Sequence, residues 1–133
     1  MSEDIPSCAF CGVAPERIAW SSPIVIALWD AFPVSPGHAL VLPRRHAPSW
    51  NALTADEKSA ITTTLDAVRS LIDENHHPDG YNVGFNDGPA AGQTIMHFHV
   101  HVIPRYSGDT TDPRGGVRWV LPDKAAYWLK PNQ

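Results

Sequence analysis

The sequence predicts an α+β fold in which a five-stranded antiparallel sheet carries one long helix. Five short apolar segments are bounded by turn residues, which is typical of strands. One long segment of helical periodicity follows the third of them. We expect the strands near residues 17–22, 24–30, 38–44, 81–86 and 97–103. With 133 residues, the chain is expected to form a single domain over residues 1–133.

The second predicted strand contains an unbroken apolar run. Residues 24–28 are all apolar and are followed by Asp30, which is typical of a buried strand in the centre of a sheet. The third strand is expected to begin at His38, after the turn Pro36–Gly37, and to end at Pro43.

A helix is predicted from Thr54 to about Asn75. Thr54 and Glu57 have the spacing of a capping box, with Thr54 at the N-cap and Glu57 three residues later. Apolar residues then recur at helical spacing, at Ile61, Leu65, Val68, Leu71 and Ile72. This stripe is expected to pack on the sheet, and we assign the helix no chemistry.

Histidines alternate with apolar residues in the fifth predicted strand. Because alternate side chains of a strand point to opposite faces, His97, His99 and His101 are expected on one face, about 7 Å apart. The strand is expected to end at Pro104–Arg105. Neutral imidazole can attack an electrophile, bind a metal or carry a proton, so this face indicates a reactive site. The alternative is a polar strand face with histidines by accident.

The loop before this strand, residues 86–94, has the composition of an anion site. Its glycines permit close approach of the backbone to a ligand, and successive amides can form a nest for phosphate. The loop ends in Gln93 and Thr94, which carry polar side chains. The alternative is an ordinary hairpin connection, which Asp87–Gly88 alone would support. Beside three histidines, we favour the phosphate cradle.

Two cysteines near the start have the spacing of a zinc knuckle. Cys8 and Cys11 are followed by Gly12, in a segment that we place at residues 1–16. A knuckle needs two further ligands. A structural disulfide is disfavoured in a reducing compartment, and the context of a thioredoxin-like site is absent. The alternative is an apolar cysteine pair without metal.

Composition excludes several classes of protein. Apolar residues make up 43% and charged residues 18%, which is typical of a globular chain. The net charge is −4 with only 10 Lys and Arg, so no polymeric nucleic acid is expected as a partner. No apolar run is long enough to span a bilayer, so no membrane partner is expected. The acidic stretch at residues 1–5 lacks a signal-peptide core, which makes a cytoplasmic enzyme the expectation.

Two segments resemble the histidine triad superfamily of nucleotide hydrolases and transferases. The first is Gly92–Ile103, with its three histidines, and the second is Phe32–His46. The resemblance extends from about Cys8 to Trp128. The closing segment Gly115–Pro122 resembles bacterial members close to the fragile-histidine-triad branch.

The resemblance implies covalent catalysis by His99. In the family pattern this imidazole attacks the α-phosphorus of a nucleotide, and water then releases the nucleotide from a nucleotidyl-histidine. The resemblance places His101 and His38 beside the phosphate, where they would neutralise charge or relay protons. It implies that Thr94 and Gln93 donate to phosphate oxygens or to the leaving group.

The resemblance also implies a nucleotide pocket. Asp30 would bind the ribose hydroxyls, although a turn-forming role before Phe32 is equally compatible with the sequence. Asn86 would contact phosphate or nucleophile, where some relatives carry Gln, and Gly92 belongs to the phosphate loop. Phe32 could line a slot for a purine, together with Ile24 and Leu28. For each of these three apolar residues, core packing is the better expectation.

A structural zinc ion is implied by the same resemblance. Family branches that keep the cysteine pair add histidines at the positions of His46 and His97. The expected ligands are therefore Cys8, Cys11, His46 and His97, with zinc not required for the chemical step. His97 would then be structural.

The resemblance implies a homodimer and a purine nucleotide substrate, and the loop and tail favour hydrolysis of a dinucleoside polyphosphate. Three alternatives stay open. One is a nucleoside phosphoramidase or phosphorylase of the same superfamily. A second is a metal-dependent hydrolase with His97, His99 and His101 as ligands. A third is a nucleotide-binding interaction protein with vestigial activity. In the C-terminal tail, residues 106–133, Trp119 could stack on a base or cover the partner subunit. For Trp119, Tyr127 and Trp128 alike, core or interface packing is favoured.

Overall fold

The computed structural model of the protein describes residues 8–129, so the predictions for residues 1–7 and 130–133 lie outside the described chain. The strands are β1 (Ile18–Ser21), β2 (Val25–Trp29), β3 (Ala39–Pro43), β4 (Gly80–Gly84) and β5 (Val100–Arg105). They form one antiparallel sheet in the order β1-β2-β3-β5-β4. The helices are α1 (Ala55–His76) and the short α2 (Pro122–Ala125). The predicted α+β fold is confirmed.

The fifth strand begins later than predicted. Before Val100 the chain leaves the ladder, and the amide of Phe98 donates to the carbonyl oxygen of Ala47 at 2.7 Å. His97 and His99 therefore precede β5, and only His101 of the three lies in it. The prediction that all three histidines share one strand face is wrong, because the alternation holds only inside a strand.

The strand ends at Arg105, as the predicted end at Pro104–Arg105 implies, and Pro104 lies within it. Pairing with β3 stops at Val102, which lies opposite Ala39. Pro104 lacks an amide proton, but the pairing with β3 has already ended before it, so no hydrogen bond to β3 is lost. On the other side Pro104 lies opposite Tyr81 of β4.

Helix α1 begins with the predicted capping box. The Thr54 hydroxyl accepts from the Glu57 amide at 3.1 Å, and the Glu57 carboxylate accepts from the Thr54 amide at 2.8 Å. The helix ends at His76, and His77 closes it in the left-handed conformation with φ of 51°. Ile61, Val68 and Ile72 are buried, as the stripe predicted.

The Glu57 carboxylate also joins the helix to the segment after β3. Arg45 donates to both Glu57 oxygens, at 3.0 and 2.7 Å. Hydrogen bonding from this guanidinium lowers the pKa of Glu57, and burial opposes the shift. The pair holds in place the chain that leads to His46.

The sheet has two covered faces. Helix α1 covers the face on which Val25, Ala27, Val41, Val100 and Val102 are buried. The opposite face forms a second cluster of Phe10, Ile26, Leu28, Leu40 and Leu42. Each buried Val, Leu, Ile or Phe side chain in these clusters stabilises the fold by about 1.5–3 kcal/mol. The N-terminal segment, through Phe10, therefore covers the face without the helix.

The C-terminal segment folds as 3-10 turns around α2, at Gly116–Val120 and Tyr127–Leu129. The Trp119 indole donates to the carbonyl oxygen of Arg114 at 2.8 Å, and Trp119 is 45% exposed. The Arg114 guanidinium lies over the Trp128 ring, 4.5 Å from its centroid. Across residues 8–129, the helices are too short or too polar to cross a bilayer.

Candidate functional site

The structure brings the four predicted zinc ligands together. Donor atoms of Cys8, Cys11, His46 and His97 all lie within 4.8 Å of one another. Nδ1 of His97 is 3.6 Å from each cysteine sulfur, and Nδ1 of His46 is 3.4 Å from Sγ of Cys11. Tetrahedral zinc with ordinary bond lengths separates sulfur and nitrogen ligands by about 3.6 Å. Two thiols and two imidazoles at these separations fit a structural zinc ion.

A hydrogen bond orients the ring of His97 toward this cluster. Its Nε2 lies 2.7 Å from the carbonyl oxygen of Pro43, so Nε2 carries the proton and donates. The lone pair of Nδ1 then faces the two sulfurs. His97 is fully buried, with 0% of its surface exposed. Ligating histidines ordinarily donate their other N–H to such an acceptor, which fixes the tautomer.

A second cluster contains the other histidines of the predicted site. The ring centroids of His99 and His101 are 5.2 Å apart, and those of His38 and His101 are also 5.2 Å apart. His97 belongs to the cysteine cluster instead, with its two nitrogens directed at sulfur and at Pro43. The alternative of a metal-dependent hydrolase with His97, His99 and His101 as ligands is therefore wrong.

One hydrogen bond sets the tautomer of His99. Its Nδ1 lies 2.8 Å from the carbonyl oxygen of His97, so Nδ1 carries the proton. In the neutral ring, Nε2 then keeps its lone pair. Phe10, which sequence reasoning missed, packs edge to face on this imidazole at 4.9 Å between centroids. The sequence signal that could have indicated this contact is the large aromatic residue between the two cysteines.

A chain of hydrogen bonds sets the tautomers of His38 and His101. The Val34 amide donates to Nδ1 of His38 at 3.1 Å, so neutral His38 carries its proton on Nε2. That Nε2 lies 3.0 Å from Nδ1 of His101 and 3.4 Å from a carboxylate oxygen of Asp30. His101 Nδ1 therefore accepts, and neutral His101 carries its proton on Nε2. Sequence reasoning missed the Val34 amide because the contact uses only its backbone.

Burial keeps the two inner histidines neutral. The pKa of His101 is lowered to about 4, first by burial and then by the neighbouring His99 and His38, while Asp30 opposes the shift. Burial also lowers the pKa of His38, against the raising effect of Asp30. At neutral pH both rings therefore act as hydrogen-bond donors without charge.

Asp30 forms the predicted turn and also reaches the histidines. One carboxylate oxygen accepts from the Phe32 amide at 2.8 Å, which is an Asx turn. Phe32 is 88% exposed and Ile24 is 40% exposed, so the expectation of core packing is wrong for both. It is confirmed for Leu28, which is fully buried.

Several backbone amides of the loop 86–94 donate hydrogen bonds within the loop itself. The amides of Ala91 and Gln93 donate to the Gly88 carbonyl oxygen, and the Gly92 amide donates to Pro89. The Gly88 amide donates to the Gln93 side chain at 2.8 Å. A phosphate cradle built from these four amides is therefore wrong. Gly92 adopts φ of 92°, which a glycine permits.

Gln93 holds the loop through all its side-chain polar atoms. Its Nε2 donates to the carbonyl oxygens of Pro48 and Ile95, at 2.7 and 3.1 Å. The residue is buried, at 6% exposure. Both Nε2 protons are engaged, which contradicts the expectation that Gln93 donates to phosphate. Thr94 and Asn86 are exposed.

A cavity of about 970 Å³ opens beside the histidines. His38 and His101 lie in its lining, and β4, β5 and the C-terminal segment form its walls. Asn86, Arg105 and Arg114 also line it. Ligand sites commonly occupy about 300–1,000 Å³, so the space is sufficient for a nucleotide.

Comparison with known proteins places these residues in a family. A model of the HIT domain matches residues 12–108, which include His38, His99 and His101. The chain is 37% identical over 111 residues to the bifunctional bis(5'-adenosyl)-triphosphatase/adenylylsulfatase FHIT of Arabidopsis thaliana. That match covers 82% of this chain and 62% of the plant protein, so the chain spans less than two thirds of that relative.

Two further similarities bear on the site. The asymmetrical bis(5'-nucleosyl)-tetraphosphatase of Schizosaccharomyces pombe is 39% identical, over 72% of this chain and 53% of that protein. A crystal structure of a zinc-bound histidine triad family protein from Mycobacterium smegmatis is 32% identical, with a TM-score of 0.72. It covers 80% of each chain.

Proposed function

This chain belongs to the HIT domain family, and from that premise we propose that it is a dinucleoside polyphosphate hydrolase acting through a covalent nucleotidyl-histidine. One observation carries the proposal. The His99 imidazole donates from Nδ1 to the His97 carbonyl oxygen, which leaves Nε2 with a lone pair beside neutral His101. A fixed tautomer with an unprotonated nitrogen is what a nucleophilic histidine needs.

In the first step, Nε2 of His99 attacks the α-phosphorus of the substrate. A phosphorus–nitrogen bond forms as the phosphorus–oxygen bond to the leaving polyphosphate breaks. The positive charge that develops on the ring is stabilised by the His97 carbonyl oxygen, which accepts from Nδ1. In the second step, water attacks the same phosphorus, a phosphorus–oxygen bond forms and the phosphorus–nitrogen bond breaks, which restores the neutral imidazole. The proton lost by water passes to solvent.

His101 donates from Nε2 to a phosphoryl or leaving-group oxygen in this proposal. Its other nitrogen accepts from Nε2 of His38, so the donor nitrogen is fixed. With a pKa of about 4, the ring donates without carrying a charge. His38 is then a positioning residue, since it acts through His101.

The substrate would lie partly in the cavity, which His101 and Asn86 line, and would extend beyond that lining to the other residues proposed to contact it. Asp30 has one carboxylate oxygen beside His38 and is proposed to accept from the ribose hydroxyls. Exposed Phe32 offers a face to a purine, and exposed Thr94 and Asn86 offer polar groups to the phosphates. Gln93 and Gly92 would shape the phosphate loop without donating from their engaged groups.

The names of two relatives support this substrate class. The plant relative is named a bis(5'-adenosyl)-triphosphatase and the yeast relative a bis(5'-nucleosyl)-tetraphosphatase. A dinucleoside polyphosphate presents an α-phosphorus with a good polyphosphate leaving group, which suits attack by a neutral imidazole.

Zinc is proposed to be structural. Bound by Cys8, Cys11, His46 and His97, it would join the N-terminal segment to the start of the reactive segment. Thiol ligands of this kind persist in a reducing compartment, which agrees with the proposed cytoplasmic location. A homodimer, implied by the family resemblance, stays a prediction.

A substrate panel tests the proposed function. Purified protein is offered a diadenosine triphosphate, a diadenosine tetraphosphate, a nucleoside phosphoramidate and a simple phosphate monoester, and products are identified by mass spectrometry. We expect cleavage of the dinucleoside polyphosphates at the α-phosphorus, with incorporation of labelled oxygen from water into the mononucleotide. Preferential cleavage of the phosphoramidate, or transfer of the nucleotidyl group to added phosphate instead of water, contradicts the proposal.

A further inference from the structure

An aromatic side chain from the cysteine loop lies against the candidate nucleophile. Phe10 stands between the two cysteines and is buried, at 9% exposure. Its ring meets the His99 imidazole edge to face, with centroids 4.9 Å apart and planes at 78°. The same ring lies 6.1 Å from the imidazole of His97, at 76°. One side chain thus contacts both a candidate metal ligand and the candidate nucleophile.

The backbone around Phe10 depends on Cys8. The Phe10 amide donates to Sγ of Cys8 at 3.4 Å, and the Cys11 amide donates to the Cys8 carbonyl oxygen at 3.2 Å. Ligation of both sulfurs to one ion would fix this tight loop. The position of the Phe10 ring would then follow from the geometry of the cysteine cluster.

His97 provides a second connection between the two clusters. Its side chain lies in the cysteine cluster, while its carbonyl oxygen accepts from Nδ1 of His99 at 2.8 Å. A single hydrogen bond leaves an imidazole free to tilt about that bond. The contact with Phe10 limits this tilt on one side, and the His101 ring, 5.2 Å away between centroids, is the other ring beside His99. Phe10 therefore helps to fix where Nε2 of His99 points.

We propose that Phe10 is a positioning residue for His99, and that metal in the cysteine cluster sets how firmly Phe10 holds that imidazole. The inference rests on the proposed function, because it takes His99 as the nucleophile. Small displacements of a reacting group lower the rate of its reaction steeply, by up to about 100-fold for 1 Å. Metal occupancy would therefore act on the reaction rate without the ion touching the substrate.

The first test compares Phe10→Leu with Val13→Ala. Leucine keeps apolar volume in the cluster but removes the ring, while Val13 packs on the same cluster and serves as the matched control. We expect Phe10→Leu to slow single-turnover nucleotidylation of His99 about tenfold. The substrate concentration for half-maximal rate should stay unchanged, and Val13→Ala should change the rate less than twofold. Equal rates in the two variants would overturn the proposal.

The second test uses no turnover. The imidazole nitrogens are labelled with nitrogen-15, and NMR reports which nitrogen of His99 carries the proton. In metal-loaded wild type we expect a strong Nδ1–H signal, because the hydrogen bond to the His97 carbonyl oxygen protects this proton from exchange with water. In Phe10→Leu, at unchanged metal content, we expect a weaker signal, because a looser ring opens that hydrogen bond more often. An Nδ1–H signal as strong in Phe10→Leu as in wild type would overturn the proposal.

The third test removes the metal with a chelator from wild type that circular dichroism shows to be folded. We expect the same loss of the Nδ1–H signal, and less than a twofold further rate loss when Phe10→Leu is chelated. The proposal is overturned if the rate losses from chelation and from Phe10→Leu multiply. It is also overturned if the Nδ1–H signal of wild type is unchanged after metal release. If Phe10→Leu does not fold, the wild-type chelation spectrum decides alone. Absence of any nucleotidylated wild type contradicts the proposed function, while the comparison of Nδ1–H signals still decides the role of Phe10.

Discussion

Nε2 of His38 lies 3.0 Å from Nδ1 of His101, and the Val34 amide occupies the other nitrogen of His38. The direction of this hydrogen bond is therefore determined: His38 donates and His101 accepts. The proton of His101 is therefore on Nε2. Because His101 lines the cavity, this N–H is available to donate a hydrogen bond to a phosphate oxygen of a bound substrate. The role of His101 thus depends on His38, whose side chain is almost completely buried, at 3% exposure.

Removing the donor of His38 is expected to impair His101. His38→Leu removes both hydrogen bonds of the ring, while His38→Gln retains an amide N–H in a similar place. We expect His38→Leu to lower turnover by at least about tenfold, and His38→Gln to recover part of the loss. Steady-state kinetics on a dinucleoside polyphosphate measure this. Equal activity in the two variants would show that the donor of His38 has no role.

The lowered pKa of His101 predicts a pH-dependent stability. The unfolded chain takes up this proton near the ordinary value of 6.5, but the folded chain only near pH 4. Between these values the unfolded state binds more protons, so the contribution of His101 is complete above pH 6.5 and is lost as pH falls toward 4. The groups that face His101 are His99, His38 and Asp30.

Urea unfolding at pH 4.5 and 7.5 measures this effect. We expect wild type to lose more stability on acidification than His101→Gln, because the variant lacks the titrating ring. Protonation of the cysteine cluster affects both proteins alike and cancels in the comparison. An identical pH dependence in the two proteins would contradict the lowered pKa.

Zinc binding is expected to require His46 but not His76. Both are histidines, but His46 belongs to the cysteine cluster and His76 is exposed at the end of α1. His46→Ala should weaken zinc binding by at least about 100-fold and lower the melting temperature, whereas His76→Ala should do neither. Elemental analysis after dialysis and thermal melting measure this. One zinc per chain retained in His46→Ala would refute the ligand set.

The side chain of Gln93 is expected to matter for stability, unlike that of Asn86. Gln93→Leu removes the partner of the half-buried Gly88 amide and of two carbonyl oxygens, which costs about 2–4 kcal/mol. Asn86→Ala, at an exposed position of the same loop, should change stability by less than about 0.5 kcal/mol. Chemical denaturation measures both. A small effect of Gln93→Leu would mean that the loop is held by other contacts.

Local signals predicted most of the fold correctly. The Thr54 and Glu57 capping box, and the apolar run of β2, each depend on residues near one another in sequence, and both are confirmed. The start of β5 depends instead on a long-range hydrogen bond. The Phe98 amide donates to the carbonyl oxygen of Ala47, which lies 51 residues earlier in the sequence. Such a long-range bond leaves no periodic pattern, so the alternating histidines suggested a longer strand than the one that forms.

The site was predicted in composition but not in arrangement. The resemblance indicated that Cys8, Cys11, His46 and His97 belong together, and the structure brings them together. The resemblance also placed His97 among the metal ligands, apart from the other histidines, and the structure agrees. Strand alternation instead placed all three histidines on one face, because it could not show that the chain leaves the sheet before Val100. The contact of Phe10 with His99 was also missed, since it depends on how the N-terminal segment crosses the sheet.

The most direct test is the mass of the protein during turnover. Wild type is mixed with diadenosine triphosphate, quenched within milliseconds in alkali, digested, and mapped by mass spectrometry beside His99→Gln. We predict a nucleotidyl group on the peptide that contains His99, formed and lost at rates compatible with turnover, and no adduct in the variant. Turnover with unmodified His99, or an adduct on another residue, would contradict the account.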